Sequence, residues 1–299
     1  MPALATAAPG ALSFRGDFWS VTIPYDLADD APGPARQRAR GRARITARLR
    51  AGASRIAALR QEGSLRLLFP HGAGGALSAT WLNTAGGITG GDAFTLEAGA
   101  EAGAHLTLTS QAAERIYRAQ GPAPGRVETR LTLAPGARLD WLPQETILFD
   151  GAALDRRLSV EMAEDARFLG VETLIFGRAA MGEEVRRLAL RDRIDIRRGG
   201  ALIHADRLAL SGDAAAALAR PGVADGARAM ATLVIAAPGA EGQLPALRAR
   251  LPVTAGISSP LPGLVVARVL APDGFELRHT LLPLLRDACA ADLPRPWML

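Results

Sequence analysis

The sequence predicts a β-rich domain of stacked strand layers, with a small amount of helix toward its C-terminal end. Three observations predict it. Apolar and polar residues alternate with period two, as at Leu65-Arg66-Leu67, Leu106-Thr107-Leu108 and Leu131-Thr132-Leu133, and that period puts one set of side chains on one face of a strand. Turn-forming residues are plentiful, with 32 Gly and 20 Pro in 299 residues. One unit also recurs at a spacing of roughly thirty residues, the range in which repeats bury a face only by stacking on their neighbours. It consists of an alternating strand, a tight turn closing in Gly-Ala or a near variant, and a second strand. It occurs before His105-Leu106, at Ala134-Pro135-Gly136-Ala137, at Glu164-Asp165-Ala166 and at Gly199-Gly200-Ala201.

Residues 1–35 are rich in Ala, Pro, Gly and Asp and are expected to be flexible, apart from a short apolar piece at 14–23. Arg36, Arg38, Arg40, Arg42 and Arg44 follow with period two, which lines all five along one face of a strand. This face is either solvated or a stripe for an acidic partner. No aromatic residues interleave with the arginines, as a nucleic-acid stacking platform would require. From residue 64 to 210 strand follows strand. Helix is expected at 243–250, where Leu244, Leu247 and Leu251 share a face, and at 276–290, where Leu277, Leu281, Leu284, Leu285 and Ala288 do so and Pro283 should bend or shorten the helix. One or two helical turns fit 214–219, ahead of Pro221-Gly222. No domain linker appears after residue 45, so residues 36–299 are expected to form a single domain.

Composition narrows the chemistry. Hydrophobic residues make up 48% and charged residues 22%, enough for a core and too mixed for disorder. The apolar runs are too short to span a bilayer, and the N-terminus lacks the pattern of a secretory signal. The lone Cys289 cannot form an intramolecular disulfide. These features lead to the expectation of a cytoplasmic protein with no membrane association. The net charge is +5 and every Lys/Arg position is Arg. Without lysine there is no Walker A motif, no Schiff base and no lysine of a kinase or Ser-Lys hydrolase.

No enzyme constellation is visible. His71, His105, His204 and His279 lie far apart and in no zinc pattern, and no G-x-S-x-G elbow occurs. Cys289 reads as a core residue on the apolar side of the last helix. The Gly-rich run Asn83-Thr84-Ala85-Gly86-Gly87-Ile88-Thr89-Gly90-Gly91-Asp92 leads into a strand rather than a helix, so it is not a dinucleotide fingerprint. Its glycines allow close backbone approach, either in a tight layered turn or along a passage closed by Asp92. Residues 110–118, 141–151 and 171–183 set polar side chains inside apolar stretches. A carboxylate in such a strand must be paired, hydrated or metal-bound, and an arginine partner and a metal role both remain open.

Segments 83–92, 110–118, 141–151 and 176–183, in that order, closely resemble those of the UreD (UreH) family of urease accessory proteins, and Pro294-Arg295-Pro296-Trp297 resembles that family's ending. The similarity runs from about Arg38 onward, omitting residues 1–35 and the last two. The resemblance implies a β-helix-like stack with about two helices near the C-terminus, and a protein that is not itself an enzyme. It implies a scaffold that binds apo-urease subunits together with UreF and the GTPase UreG, and passes nickel through an internal polar tunnel. The di-nickel site and its carbamylated lysine belong to urease.

By position in the motifs, Asp92, Glu172 and Asp206 correspond to acidic tunnel positions; at Glu172 and Asp206 this chain carries the other carboxylate, so charge is kept there while reach is not. Gly86, Gly87, Gly90, Gly91, Glu114, Arg115, Tyr117, Arg118, Gln144, Glu145, Gly177, Arg178, Gly182 and Glu183 are the remaining motif positions, expected to serve structure or partner contact. No tightly bound cofactor is expected, only Ni²⁺ in transit. A conduit should hold nickel weakly through oxygen ligands, since N and S ligands would trap it. The alternative is a β-solenoid interaction module with an Arg stripe and no metal role.

Overall fold

The computed structural model describes residues 11–13, 22–24, 37–70, 75–289 and 292–298. The chain divides into two units, Met1–Gln37 and Arg38–Leu299. In the first, β1 (Ala11–Ser13) and β2 (Thr22–Pro24) form an antiparallel pair. That pair apart, the expectations for residues 1–35, for Arg36 and for His71 fall outside the described residues.

The second unit opens with β3 (Arg40–Arg50), β4 (Ala53–Gly63), β5 (Leu65–Leu68), β6 (Leu77–Asn83), β7 (Ala93–Ala100) and β8 (His105–Ser110). It continues through β9 (Glu114–Ile116), β10 (Gly125–Leu133), β11 (Arg138–Leu142), β12 (Thr146–Leu148), β13 (Ala152–Met162) and β14 (Arg167–Phe176). It closes with β15 (Leu188–Arg198), β16 (Ala201–Gly212), α1 (Ala214–Leu218), β17 (Ala229–Ala236), α2 (Leu244–Arg248), β18 (Ala255–Leu261), β19 (Leu264–Ala271) and α3 (Gly274–Ala288).

These strands make two sheets. One has the order β16-β15-β13-β10-β7-β3-β4, and the other β18-β19-β17-β14-β11-β8-β6-β5, with β12 pairing β14 and β9. The chain alternates between the sheets, and like strands of successive turns pair in parallel: β3, β7, β10, β13 and β15 in one sheet, β6, β8, β11 and β14 in the other. The result is a β-solenoid of about four turns. Antiparallel strands end the stack. β4 and β16 cover the two ends of the first sheet, and β17, β19 and β18 extend the second beyond β14.

The recurring turn is the corner of the solenoid. Ala104, Ala137 and Ala166 each donate to a carbonyl three residues back, those of Glu101, Ala134 and Ala163. All three alanines are fully buried, at equivalent places in successive turns. The corners are also linked across turns, with Gly103 N–H donating to Pro135 O at 3.1 Å and Gly136 N–H to Asp165 Oδ1 at 3.0 Å. The fourth unit differs. Gly199-Gly200 closes a hairpin between antiparallel β15 and β16, so it ends the stack instead of extending it. Both glycines have positive φ (57° and 84°), which a hairpin connection needs.

The first sheet buries one face. On β3, Ala43, Ile45 and Ala47 point inward while Arg40, Arg42 and Arg44 are exposed, as the period-two run predicts. The second sheet is covered on both faces, so nine consecutive residues of β14, from Phe168 to Phe176, are buried. Its inner face packs against the first sheet in the main core. Its outer face meets α2 and α3, with Leu247, Leu277, Leu281, Leu284, Leu285 and Trp297 in a second core.

The helices deviate from expectation at their ends. The 243–250 helix is a 3-10 turn (Ala240–Gln243) followed by the short α2. α3 begins at Gly274 because the Asp273 side chain caps it, accepting from Glu276 N–H at 2.9 Å. It stops at Ala288, which makes Cys289 the C-cap residue rather than part of the helix, though still packed on the second core. Pro283 sits inside the helix.

Ala137→Leu at the middle corner is expected to destabilise the chain by about 1–3 kcal/mol through overpacking. A urea titration reads this as a lower midpoint, and an unchanged midpoint would show that the corner has room.

Candidate functional site

Alternation along β13 and β15 turns one charged residue of each strand into the core. Arg156 faces inward between Leu154 and Leu158, and Asp192 between Leu190 and Ile194. Their strands pair in register, so the two residues lie directly opposite each other. Arg156 grips Asp192 with two parallel bonds, Nε to Oδ1 at 2.9 Å and Nη2 to Oδ2 at 2.6 Å. Its Nη1 reaches the other sheet, where it meets Glu172 Oε2 of β14 at 2.7 Å and Thr146 Oγ1 at 3.0 Å. The second Glu172 oxygen accepts from Trp141 Nε1–H at 2.7 Å. Burial pushes the Glu172 carboxyl up, against the opposing pull of Arg156. Burial would lower the Arg156 guanidinium, but Asp192 and Glu172 outweigh it and raise it.

The polar groups continue in the direction of β16 and β18. Thr232 on β17 pairs with Glu172, and Arg268 on β19 pairs with Thr232. On the facing sheet Asp206 of β16 lies opposite Ile194. Arg268 Nη2 donates to Asp206 Oδ2 at 2.5 Å, and Thr232 Oγ1 to the same oxygen at 3.5 Å. A cavity of about 10 Å³ lies among Arg156, Glu172, Asp192, Asp206, Thr232 and Arg268, about the room one water needs. Three carboxylates there face two guanidiniums, so the ionised set carries an excess negative charge. Asp206 and Arg268 are partly exposed, which brings this end of the line to solvent. His204, two residues from Asp206 on the same strand face, is held below its ordinary range by burial, and its Nε2 is buried without a partner.

A second cavity, of about 50 Å³, shares Arg156 and Glu172 as walls. It is largely apolar, but Trp81, Glu114 and Gln144 also line it. Burial raises the half-buried Glu114 carboxyl to about 7, only partly offset by the Asn83 amide at 3.3 Å.

Glu172 and Asp206 thus meet at one cavity, while Asp92 stands apart. Both Asp92 oxygens accept backbone N–H groups, Oδ1 from Ala39 at 2.8 Å and Oδ2 from Thr89 at 2.9 Å. The glycines beside it are there for close approach. A Cβ on Gly87 would lie 2.3 Å from the Tyr117 ring, and one on Gly90 2.6 Å from Ala123 O. Gly86 and Gly91 add positive φ.

The other motif positions lock the corners together. Tyr117 stacks edge-on against Phe149 (5.2 Å) and its hydroxyl donates to Gly86 O, while Arg178 lies over the same Phe149 ring at 4.4 Å. Arg118 pairs with Asp150 at 2.8 Å, and Arg178 with Glu183 at 2.8 Å. Burial pushes the Glu183 carboxyl up, but Arg178 and the Asp150 and Arg178 N–H groups outweigh it and hold it below its ordinary range. Gly177 and Gly182 take positive φ around this loop, and Arg115 is exposed. Arg278 of α3 ties Gln144 Oε1 (2.9 Å) and Glu145 (3.1 Å) to Pro296 O, and lies over the Trp297 ring.

Arg156, Asp192 and Arg268 were not among the sequence candidates. The signal was present: Arg156 and Asp192 are each a charge at an inward position of an alternating strand, as in Leu154-x-Arg156-x-Leu158, and Arg268 is the lone charge in the otherwise apolar strand Leu264–Ala271. Among the described residues no group of three His, Cys, Asp or Glu side chains could hold a metal ion. Nor is any helix among them long and apolar enough to cross a membrane.

A family model described as UreD urease accessory protein matches residues 39–298. The urease accessory protein UreD of Roseobacter denitrificans is 50% identical over 262 residues, covering 88% of this chain and 96% of the relative. That of Ruegeria pomeroyi is 49% identical over 253 residues, 85% of this chain and 98% of the relative. That of Azorhizobium caulinodans is 45% identical over 271 residues, 90% of this chain and all of the relative.

Two outcomes test the geometry. Removing the guanidinium in Arg156→Met strands two buried carboxylates and should cost about 3–5 kcal/mol in chemical denaturation; a loss no larger than that of a surface substitution would show the fork to be dispensable. Glu114 binds its proton more tightly in the folded chain, at about 7 against 4.5, so stability should fall as pH rises between those values and stay reduced above them. Glu114→Gln should abolish that slope and, after allowance for solvent screening, stabilise the chain at pH 8 by on the order of 1 kcal/mol. Urea midpoints at pH 5 and pH 8 check both expectations.

Proposed function

This chain belongs to the UreD family of urease accessory proteins, and on that premise we propose that it is a scaffold for urease maturation that binds apo-urease and, with UreF and the GTPase UreG, conducts Ni²⁺ toward the urease active site. The observation that supports this reading is the line of Glu172, Asp192 and Asp206 between the sheets, with one carboxylate more than the arginines beside it balance. Excess negative charge in a confined, poorly screened space attracts a dication. Carboxylate oxygens and water bind nickel less tenaciously than a Cys/His cage, so the ion can move on. Arg156 and Arg268 compensate the carboxylates when no ion is present, and each can surrender one as the ion takes its place. Asp92, with both oxygens on backbone N–H groups, acts in this proposal by holding the Gly-rich loop.

Nickel is cargo here and not a resident cofactor. The work is assigned to the cytoplasm, where the chain needs no membrane or nucleic acid. The competing reading, an interaction module with no metal role, has the exposed Arg40, Arg42 and Arg44 in its favour.

One experiment separates the two. Glu172→Leu is expected to lower urease activity and nickel content in cells while the accessory complex still forms in pull-downs. Glu172→Gln should do less harm, since its amide oxygen can still ligate. Normal activation by Glu172→Leu, or failure only through loss of the complex, would leave Glu172 as a structural partner of Arg156.

A further inference from the structure

The larger cavity holds polar atoms that the protein itself leaves unsatisfied. Trp81 Nε1 and Gln144 Nε2 both belong to lining residues, and both are buried with no hydrogen-bond partner. Gln144 is only 7% exposed, and its oxygen is already taken by Arg278, which leaves its N–H groups for the cavity. Two orphaned donors from separate segments, each costly if left bare, point to an acceptor between them. At about 50 Å³ the space exceeds the roughly 10–15 Å³ that one water needs, and the two donors with the Glu114 and Glu172 carboxylates meet the need for two to four polar partners. Glu114 differs from Glu172 in being half-buried, with Asn83 bridging it to Gly87 O of the Gly-rich loop at 2.9 Å. It therefore reaches both the cavity and the surface.

We infer that this cavity is hydrated, and that Glu114 is the carboxylate at which a hydrated divalent cation meets this end of the path. The inference rests on the conduit reading and gives the path a second mouth, on the far side of Arg156 and Glu172 from Asp206. Water held by Trp81 and Gln144 lets an ion keep part of its hydration shell across an otherwise apolar gap. From this hydrated space the ion passes to Glu172, which lines both cavities; Trp141 and Arg156 hold that carboxylate in place by donating to its two oxygens and do not themselves ligate the ion.

The test is nickel-dependent activation of apo-urease by the reconstituted accessory complex over a range of NiCl₂ concentrations, with assembly followed by size exclusion. Glu114→Leu should slow activation several-fold at limiting nickel and be largely rescued by excess nickel. Glu114→Gln, which preserves shape and hydrogen bonding, should have a smaller effect. Equal slowing at every nickel concentration, or slowing accompanied by loss of the complex, would assign Glu114 a structural role and overturn the inference. If Glu172→Leu slows activation while both Glu114 variants match the parent, the conduit stands and the second mouth does not. If none slows it, the conduit itself falls. A crystal structure of the complex should also show ordered water within hydrogen-bond distance of Trp81 Nε1 and Gln144 Nε2; a dry cavity would overturn the hydration.

Discussion

The rest of the structure depends on one buried guanidinium. Arg156 sits between the two sheets and satisfies Asp192 on its own sheet and Glu172 on the other. Taking these charges out of water is costly, and only a complete set of partners offsets that cost. The arrangement therefore constrains its surroundings. A one-residue slip of β13 against β15 would turn Arg156 to solvent and leave Asp192 bare in the core. A change in sheet separation would break the bridge to Glu172. Register within one sheet and spacing between the two are thus held by the same side chain.

Around this centre the solenoid is built from corners and covers. The buried alanines at 104, 137 and 166 let successive turns stack closely, while α2 and α3 seal the outer face of the second sheet. The C-terminal helix also acts on the interior. By holding Gln144 Oε1, Arg278 leaves the amide nitrogen facing the larger cavity. Packing on the outside thereby sets hydrogen-bonding capacity on the inside.

The line of polar groups brings together residues distant in sequence. Trp141 and Glu172 are 31 residues apart, Arg156 and Asp192 36, and Asp206 and Arg268 62. The first two separations are about one turn of the stack, so a repeating period delivers each group to the same place on the next layer. The third crosses from one sheet to the other at the antiparallel end. There the repeat stops, and the line opens toward solvent.

Local features of the chain determined much of this. Period-two alternation, the Gly-Ala corners and the leucine spacing of α3 dictate strands, turns and a helix through short-range sterics and burial alone, and the motif order identified the family. That Gly199-Gly200 closes a hairpin and not another corner was beyond local reading, because the same residues suit both and only the neighbouring strands choose. So too with the carboxylates. Asp92 and Asp206 look alike as acids beside apolar strands, yet Asp92 is spent on two backbone N–H groups and Asp206 on Arg268. Which partner a buried charge finds depends on which turn lies above it and which sheet lies opposite. For Ala39 and Asp92, 53 residues apart, and for Asp206 and Arg268, 62 apart, that is a property of the stacked structure, since no short stretch of chain contains both members of the pair.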